Sequence, residues 1–357
     1  MEAIVLHGKN DLRYVTDYPK PIPGPGEVLL KMTYSSICQT DIEVWQHGMF
    51  DWSGTPHIQG HEAAGIVVEI GPALEEDNPD PRRGSKLPKS TLEIGTRVAV
   101  ENVRTCGTCF FCRKGTSQLC ENGRNFGFSD DGGLAEFGVW PAALCIPLPD
   151  NVTNEEAPLA EPTSVAVHAV ENANVTVGET AAVIGCGVVG LCTLQVLKAA
   201  GLNVIAIDPR EQSLKLAREL GVIETLNPND VDPGEILPAL TNGYGPDVII
   251  ETAGAPGTGL DAANWVRRGG RVVIVGFSHE DATLNFGRAH MAEKTIIGSS
   301  ATSTGGYQKA VNLIANGSVN VKPLISALVP LDKGIEDGFE RMLKPEKDVY
   351  RILVGNG

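Results

Sequence analysis

The run Gly185-Cys186-Gly187-Val188-Val189-Gly190 limits the fold more than any other feature of this chain. It lies between a short apolar run at 181–184 and a helix-length apolar segment at 188–200, and a second apolar run at 204–207 leads into Asp208. A G-x-G-x-x-G triplet alone is weak in a chain with 41 glycines. Between a strand and a helix it is the turn of a dinucleotide-binding fold: the glycines allow a tight bend and let a pyrophosphate approach the N–H groups that open the helix. Val188 and Val189 start that helix. An acid closing the second strand accepts hydrogen bonds from the adenosine ribose hydroxyls and repels a 2′-phosphate, so Asp208 favours NAD over NADP. Arg210, two residues on, is able to accommodate such a phosphate, so the strictness of that choice stays open.

Strand-length and helix-length runs continue to alternate at 212–220, 248–251 and 271–277, which predicts a parallel sheet covered on both faces. The first third reads differently. Short apolar runs at 3–6, 28–32, 65–70 and 97–100 are separated by turns such as Pro21-Ile22-Pro23-Gly24-Pro25-Gly26, a β-rich pattern. Residues 72–94 are polar and aperiodic and read as a long surface loop. The tail beyond 299 is too short for a domain and is expected to pack back on the first. The expected organisation is therefore 1–162 plus 299–357 as one domain and 163–298 as the nucleotide domain.

A net charge of −15 repels phosphate backbones and anionic membranes, so nucleic acid is not an expected partner. No apolar stretch is long enough to span a membrane, and the N-terminus lacks the basic-then-apolar pattern of a signal peptide. A cytoplasmic protein is the expectation.

Four of the eight cysteines, Cys106, Cys109, Cys112 and Cys120, fall in a C-x2-C-x2-C-x7-C pattern, with Gly107 and Gly115 supplying turns. This spacing suits one tetrahedral zinc ion. Crowded C-x2-C pairs in a chain expected to be cytoplasmic disfavour disulfides, whereas an iron–sulfur cluster remains open on ligand type. A closed four-thiolate site has no open position, so its role is to fold a lobe. Cys145, Cys186 and Cys192 read as core packing.

Three further segments, Cys38-Gln39-Thr40-Asp41, Gly60-His61-Glu62-Ala63-Ala64-Gly65 and Glu161-Pro162-Thr163-Ser164, are individually weak. Taken in order, with the four-cysteine lobe and the glycine fingerprint, the whole chain resembles the medium-chain zinc-dependent dehydrogenase family, in particular its sorbitol and butanediol dehydrogenase branch. The resemblance implies an α/β architecture: a GroES-like β-rich catalytic domain plus a Rossmann doubly wound parallel-sheet cofactor domain. It also implies one catalytic and one structural zinc ion per chain. Cys38 and His61 would be catalytic zinc ligands, and Glu62 a ligand or close neighbour. Glu161 would complete the site directly or through water. Asp41 would orient His61, and Thr40 would receive the alcohol proton. Glu43 stands where many members carry a relay histidine, which leaves the proton exit open.

The implied activity is hydride transfer from a secondary alcohol (a polyol, sugar or vicinal diol) to NAD, with a small alcohol or ketone as partner. A homo-oligomer is expected, tetramer rather than dimer. Residues 45–52, with Trp45 and Trp52, are expected to border the substrate pocket or to pack their own loop. A threonine or simple secondary-alcohol dehydrogenase, and a non-catalytic zinc-stabilised NAD-binding protein, are the competing readings.

Overall fold

The computed structural model describes residues 1–48, 56–73, 92–344 and 349–355. Most of the 72–94 segment and residues 49–52 of the pocket-bordering segment thus lie outside the described residues. The chain divides into two compact units, Met1–Glu161 with Ser303–Ala315 and Leu324–Gly357, and Pro162–Thr302 with Asn316–Pro323. Strands are numbered β1–β18 in chain order.

The first unit is β-rich. Its largest sheet has the order β10-β6-β5-β3-β18-β17, with β9 also pairing with β3. These strands are β3 (Glu27–Ser36), β5 (Glu62–Ile70), β6 (Arg97–Val100), β9 (Phe137–Pro141), β10 (Cys145–Pro147), β17 (Ile325–Val329) and β18 (Arg351–Gly355). A smaller sheet holds β2 (Asp11–Val15), β1 (Ala3–Gly8) and β4 (His57–Ile58), and β7 (Val103–Arg104) pairs with β8 (Arg124–Asn125). Alternation sets which side chains meet. Val28, Leu30, Ala63, Val67, Val98, Val100 and Trp140 share one apolar cluster, so the intervening residues of β5 and β6 face the other way. Helix α1 (Gln39–His47) follows β3 directly, with Cys38 as its N-cap residue.

The second unit carries a six-stranded, all-parallel sheet in the order β13-β12-β11-β14-β15-β16. Its strands are β11 (Thr180–Ile184), β12 (Asn203–Ile207), β13 (Glu224–Leu226), β14 (Val248–Glu251), β15 (Arg271–Ile274) and β16 (Thr295–Gly298). This is the Rossmann order, whose ligand crevice lies past the carboxyl ends of the strands where the order reverses, here between β11 and β14. Ala181, Ala182, Val183, Ile205, Ile249 and Ile250 are wholly buried, as a sheet covered on both faces requires. No helix among the described residues is long and apolar enough to cross a membrane.

The fingerprint glycines have separate steric reasons. Gly185 takes φ 92°, and a Cβ there would sit 2.8 Å from the Ala253 nitrogen. A Cβ on Gly190 would run into the Gly185 carbonyl oxygen, whereas one on Gly187 would meet nothing within 4 Å. We expect Gly190→Ala to cost about 1–3 kcal/mol by forcing backbone apart, and Gly187→Ala to stay within about 1 kcal/mol. Urea unfolding of both variants beside the parent checks this, and equal losses would contradict the steric account.

Candidate metal centres and nucleotide site

In the cysteine lobe, a five-residue helix α2 (Phe110–Lys114) begins after Cys109 and ends at Gly115, whose φ is 83°. The two turns fold four sulfurs together, with each ligand atom within 4.8 Å of the others. Cys106 Sγ is 4.0 Å from Cys112 Sγ, and Cys109 Sγ is 3.9 Å from Cys120 Sγ. Four thiolates at about 2.3 Å around a tetrahedral ion would stand about 3.8 Å apart, so the donor set fits zinc. Backbone N–H groups prepare the charge. Those of Thr108 and Cys109 bring the Cys106 thiol down to about 5, and the Cys109 N–H lies 3.3 Å from its sulfur. All eight cysteines are free thiols.

The second centre is assembled from three elements. Cys38 precedes α1, His61 follows β4, and Glu62 opens β5. Their donor atoms also lie within 4.8 Å of one another. Sulfur, imidazole and carboxylate converging on one point is a zinc-type donor set. Asp41 links two of these positions: its Oδ2 accepts from the Cys38 N–H at 2.8 Å, and its Oδ1 lies 3.0 Å from His61 Nδ1. Nδ1 engaged in this way leaves Nε2 for a metal, which fixes the ring's tautomer and direction. Burial disfavours a charged ring, but Asp41 and Cys38 together hold the His61 pKa well above the usual imidazole value.

Glu62 is wholly buried, and burial alone would raise its pKa. The Arg351 guanidinium beside it, helped by His61 and Ser36, instead holds its carboxyl below the usual range. Arg351 donates from Nε at 2.9 Å and from Nη2 at 2.8 Å, one to each carboxylate oxygen. Nη2 also lies 3.4 Å from Cys38 Sγ, and the Ser36 hydroxyl donates to Glu62 as well. Sequence reasoning missed Arg351 and Ser36. The available signal was a lone charge immediately before the apolar run Ile352-Leu353-Val354.

Glu161 stands in the first turn of the helix Ala160–Asn172. It is buried, and burial pushes its carboxyl up to about 7, against the pull of His61 and Arg351 and with the push of Glu62 and Asp41. It therefore lies in the field of the centre, although it is not one of the three converging donors. The Thr40 hydroxyl is 3.6 Å from Cys38 Sγ. Glu43 lies along the outer flank of α1, accepting from Gln39 at 3.1 Å and standing 3.7 Å from His47. Trp45 packs edge-on against Phe339.

In the second unit Gly187 caps the N-terminus of the helix Val188–Ala199, whose first N–H groups have no partner within the helix. Open space at Gly187 and contact at Gly185 and Gly190 form a cradle that a dinucleotide pyrophosphate fits. Asp208 is buried at the end of β12. It accepts from the Cys186 N–H at 2.7 Å and the Arg210 N–H at 2.8 Å, and it pairs with the Arg210 guanidinium at 3.0 and 3.1 Å.

Comparison with known proteins shows the family to which the chain is similar. Residues 24–150 match the alcohol dehydrogenase GroES-like domain and residues 188–316 the zinc-binding dehydrogenase domain. Human sorbitol dehydrogenase is 35% identical over 351 residues, covering 96% of this chain and 92% of that protein. A probable D-xylulose reductase A of Aspergillus fumigatus is 33% identical over 364 residues, covering 99% and 96%. The 2R,3R-butanediol dehydrogenase structure from Bacillus subtilis superposes with a TM-score of 0.88 at 28% identity, covering 100% and 99%. A zinc-binding dehydrogenase from Sinorhizobium meliloti bound to NADP gives the same TM-score at 29% identity, covering 99% and 98%.

Arg351→Met leaves a carboxylate buried without its cation. We expect the metal-free protein to lose about 3–5 kcal/mol, and Glu62→Gln in the same chain to recover part of it. Glu62 has a depressed pKa in the folded state, so the pair stabilises above the ordinary carboxylate range and loses effect as pH falls through the folded value. The penalty of Arg351→Met therefore shrinks in acid. Urea titrations at several pH values measure it; a penalty that is flat with pH would contradict the ion-pair account.

Proposed function

The chain belongs to the medium-chain zinc-dependent dehydrogenase family, in its polyol dehydrogenase-like branch, and on that premise we propose that it moves a hydride from a secondary alcohol to NAD. The favoured substrates are polyols, sugars and vicinal diols. The observation that carries the reading is the convergence of Cys38, His61 and Glu62, with Asp41 holding the far nitrogen of His61. The names of the relatives, which act on sorbitol, xylulose and butanediol, support the substrate class.

Zinc held by Cys38 and His61, with Glu62 or Glu161 completing the set, supplies Lewis acidity toward an alcohol oxygen, and NAD supplies the hydride acceptor. The protein's own groups do the rest. Asp41 keeps the His61 ring aimed. The Thr40 hydroxyl receives the alcohol proton, and Glu43, on the solvent side of α1, is the group to which it can pass outward. Arg351 neutralises Glu62 and so limits the negative charge gathered around the centre. The glycine turn Gly185–Gly190 with Val188 and Val189 seats the pyrophosphate, and Asp208 takes the ribose hydroxyls once Arg210 gives way. The four-cysteine lobe holds a second, structural zinc.

A cytoplasmic homo-oligomer, tetramer rather than dimer, belongs to the same reading. The edge strand β16 exposes Ile296, and the preceding helix exposes Phe286 and Met291, which suits pairing between copies.

The test is NAD reduction against sugars, polyols, vicinal diols, threonine and simple secondary alcohols, before and after chelation. We expect turnover of a polyol or diol, lost on chelation and restored by zinc. Preference for threonine or a simple alcohol would redirect the substrate class. No turnover on any member, with NAD still bound, would favour a non-catalytic NAD-binding protein.

A further inference from the structure

Glu251 is an acid where a doubly covered parallel strand would carry an apolar residue. It closes β14 after Val248, Ile249 and Ile250 and is 1% exposed. Its register partners are Ile184 of β11 and Ile274 of β15. Ile184 is the residue before Gly185, so Glu251 stands at the carboxyl edge of the sheet, beside the glycine turn. A dinucleotide fold takes its ligand past this edge, where the strand order reverses.

The side chain turns to the loop that follows β14. Its Oε1 accepts from the Ala253 N–H and the Gly254 N–H, each at 2.8 Å, and the Thr258 hydroxyl lies 2.8 Å from it. Gly254 takes φ 61°, a bend whose N–H groups have no strand partner and take one from a side chain instead. The main chain of Glu251 ties in the next strand as well: its carbonyl accepts from the Val275 N–H at 2.8 Å and the Gly276 N–H at 3.0 Å. A Cβ on Gly276 would run into the Gly254 nitrogen and stand 2.6 Å from Glu251 Oε2.

What this loop touches gives the carboxyl its reach. The Thr252 N–H donates to Ile184 O at 2.8 Å, and the Thr252 hydroxyl donates to Gly185 O at 2.8 Å. A Cβ on Gly190 would lie 2.8 Å from Thr252 Oγ1, and one on Gly185 would lie 2.8 Å from the Ala253 nitrogen. Residues 252–254 are therefore the wall against which both ends of the glycine turn pack, and Glu251 pins that wall. Ala253 is exposed, so without the carboxyl its N–H could turn to water and the wall would be free to move. An apolar side chain at 251 would fill the same space without holding the loop.

We propose that Glu251 is a positioning residue for the dinucleotide: by fixing residues 252–254 it holds the turn at 185–190 in the shape that seats the pyrophosphate. This rests on the dinucleotide reading above and adds to it a group outside the glycine fingerprint. Affinity falls in proportion to the time a site spends in its binding geometry, so a turn that keeps it one-tenth of the time binds about tenfold more weakly.

The experiment titrates the zinc-loaded full chain with ADP-ribose, which carries the pyrophosphate, and with adenosine, which does not, by ligand-observed NMR. In Glu251→Met the dissociation constant of ADP-ribose should rise about tenfold, with adenosine within about twofold of the parent. Glu251→Gln keeps an acceptor oxygen for the loop N–H groups and should recover most of the loss. Thr252→Val removes only the hydroxyl held on Gly185 O and should weaken ADP-ribose about threefold. ADP-ribose binding within about twofold of the parent in Glu251→Met, or no recovery in Glu251→Gln, would overturn the proposal. So would an equal fall on both ligands, which is what general loosening of the unit gives. Should Glu251→Met not fold by circular dichroism, Thr252→Val decides: a loss of about threefold or more on ADP-ribose alone supports the proposal, and any smaller or shared loss overturns it. A parent that binds neither NAD nor ADP-ribose would refute the dinucleotide reading and this proposal with it, whereas parent binding that ignores both substitutions would refute the proposal alone.

Discussion

The pairing of Arg351 with Glu62 is the interaction on which the catalytic unit depends. It joins residues 289 positions apart in the chain and bridges β18 to β5 across the intervening β3. A carboxylate buried this deeply would be costly to ionise alone. With Arg351 in place it stays charged beside His61 and Cys38. The same guanidinium reaches Cys38 Sγ, so one cation balances two of the three donors. Sheet register does the rest of the positioning, because Ser36, Glu62 and Leu353 are fixed by backbone ladders before any side chain is chosen.

Each unit meets its requirements by different physics. In the nucleotide unit the constraint is steric: no side chain fits at Gly185 or Gly190, and space is left at Gly187. In the cysteine lobe it is covalent spacing and turn geometry, with N–H groups aimed at sulfur. In the catalytic unit it is electrostatic, a cluster of acids whose charges are set by burial and by Arg351.

What could be read from the sequence follows the same division. The Rossmann unit was legible because buried parallel strands are short apolar runs, and the glycine turn is contiguous. The four cysteines were legible for the same reason, since their spacing is local. Cys38, His61 and Glu62 stood out only through family resemblance; alone, a cysteine, a histidine and a glutamate in separate segments carry little. Arg351 was not legible as a neighbour of Glu62. Their meeting depends on which strands pair and in what register, and hydrophobic alternation fixes the face of a residue but not its partner across the sheet. The two hydrogen bonds between the buried Tyr307 hydroxyl and Asn102 were hidden similarly, because an aromatic residue in an amphipathic helix reads as core.

We propose that the chain builds two independent metal sites, one from Cys106, Cys109, Cys112 and Cys120 and the other around Cys38, His61 and Glu62. Zinc counted per chain after exhaustive dialysis tests it most directly, in the parent, in Cys38→Ser combined with His61→Ala, and in Cys112→Ser. We expect about two ions in the parent and about one in each altered chain, with the Cys112→Ser loss falling on the lobe and leaving the other site filled. Two ions retained without Cys38 and His61, or a single ion in the parent, would contradict it.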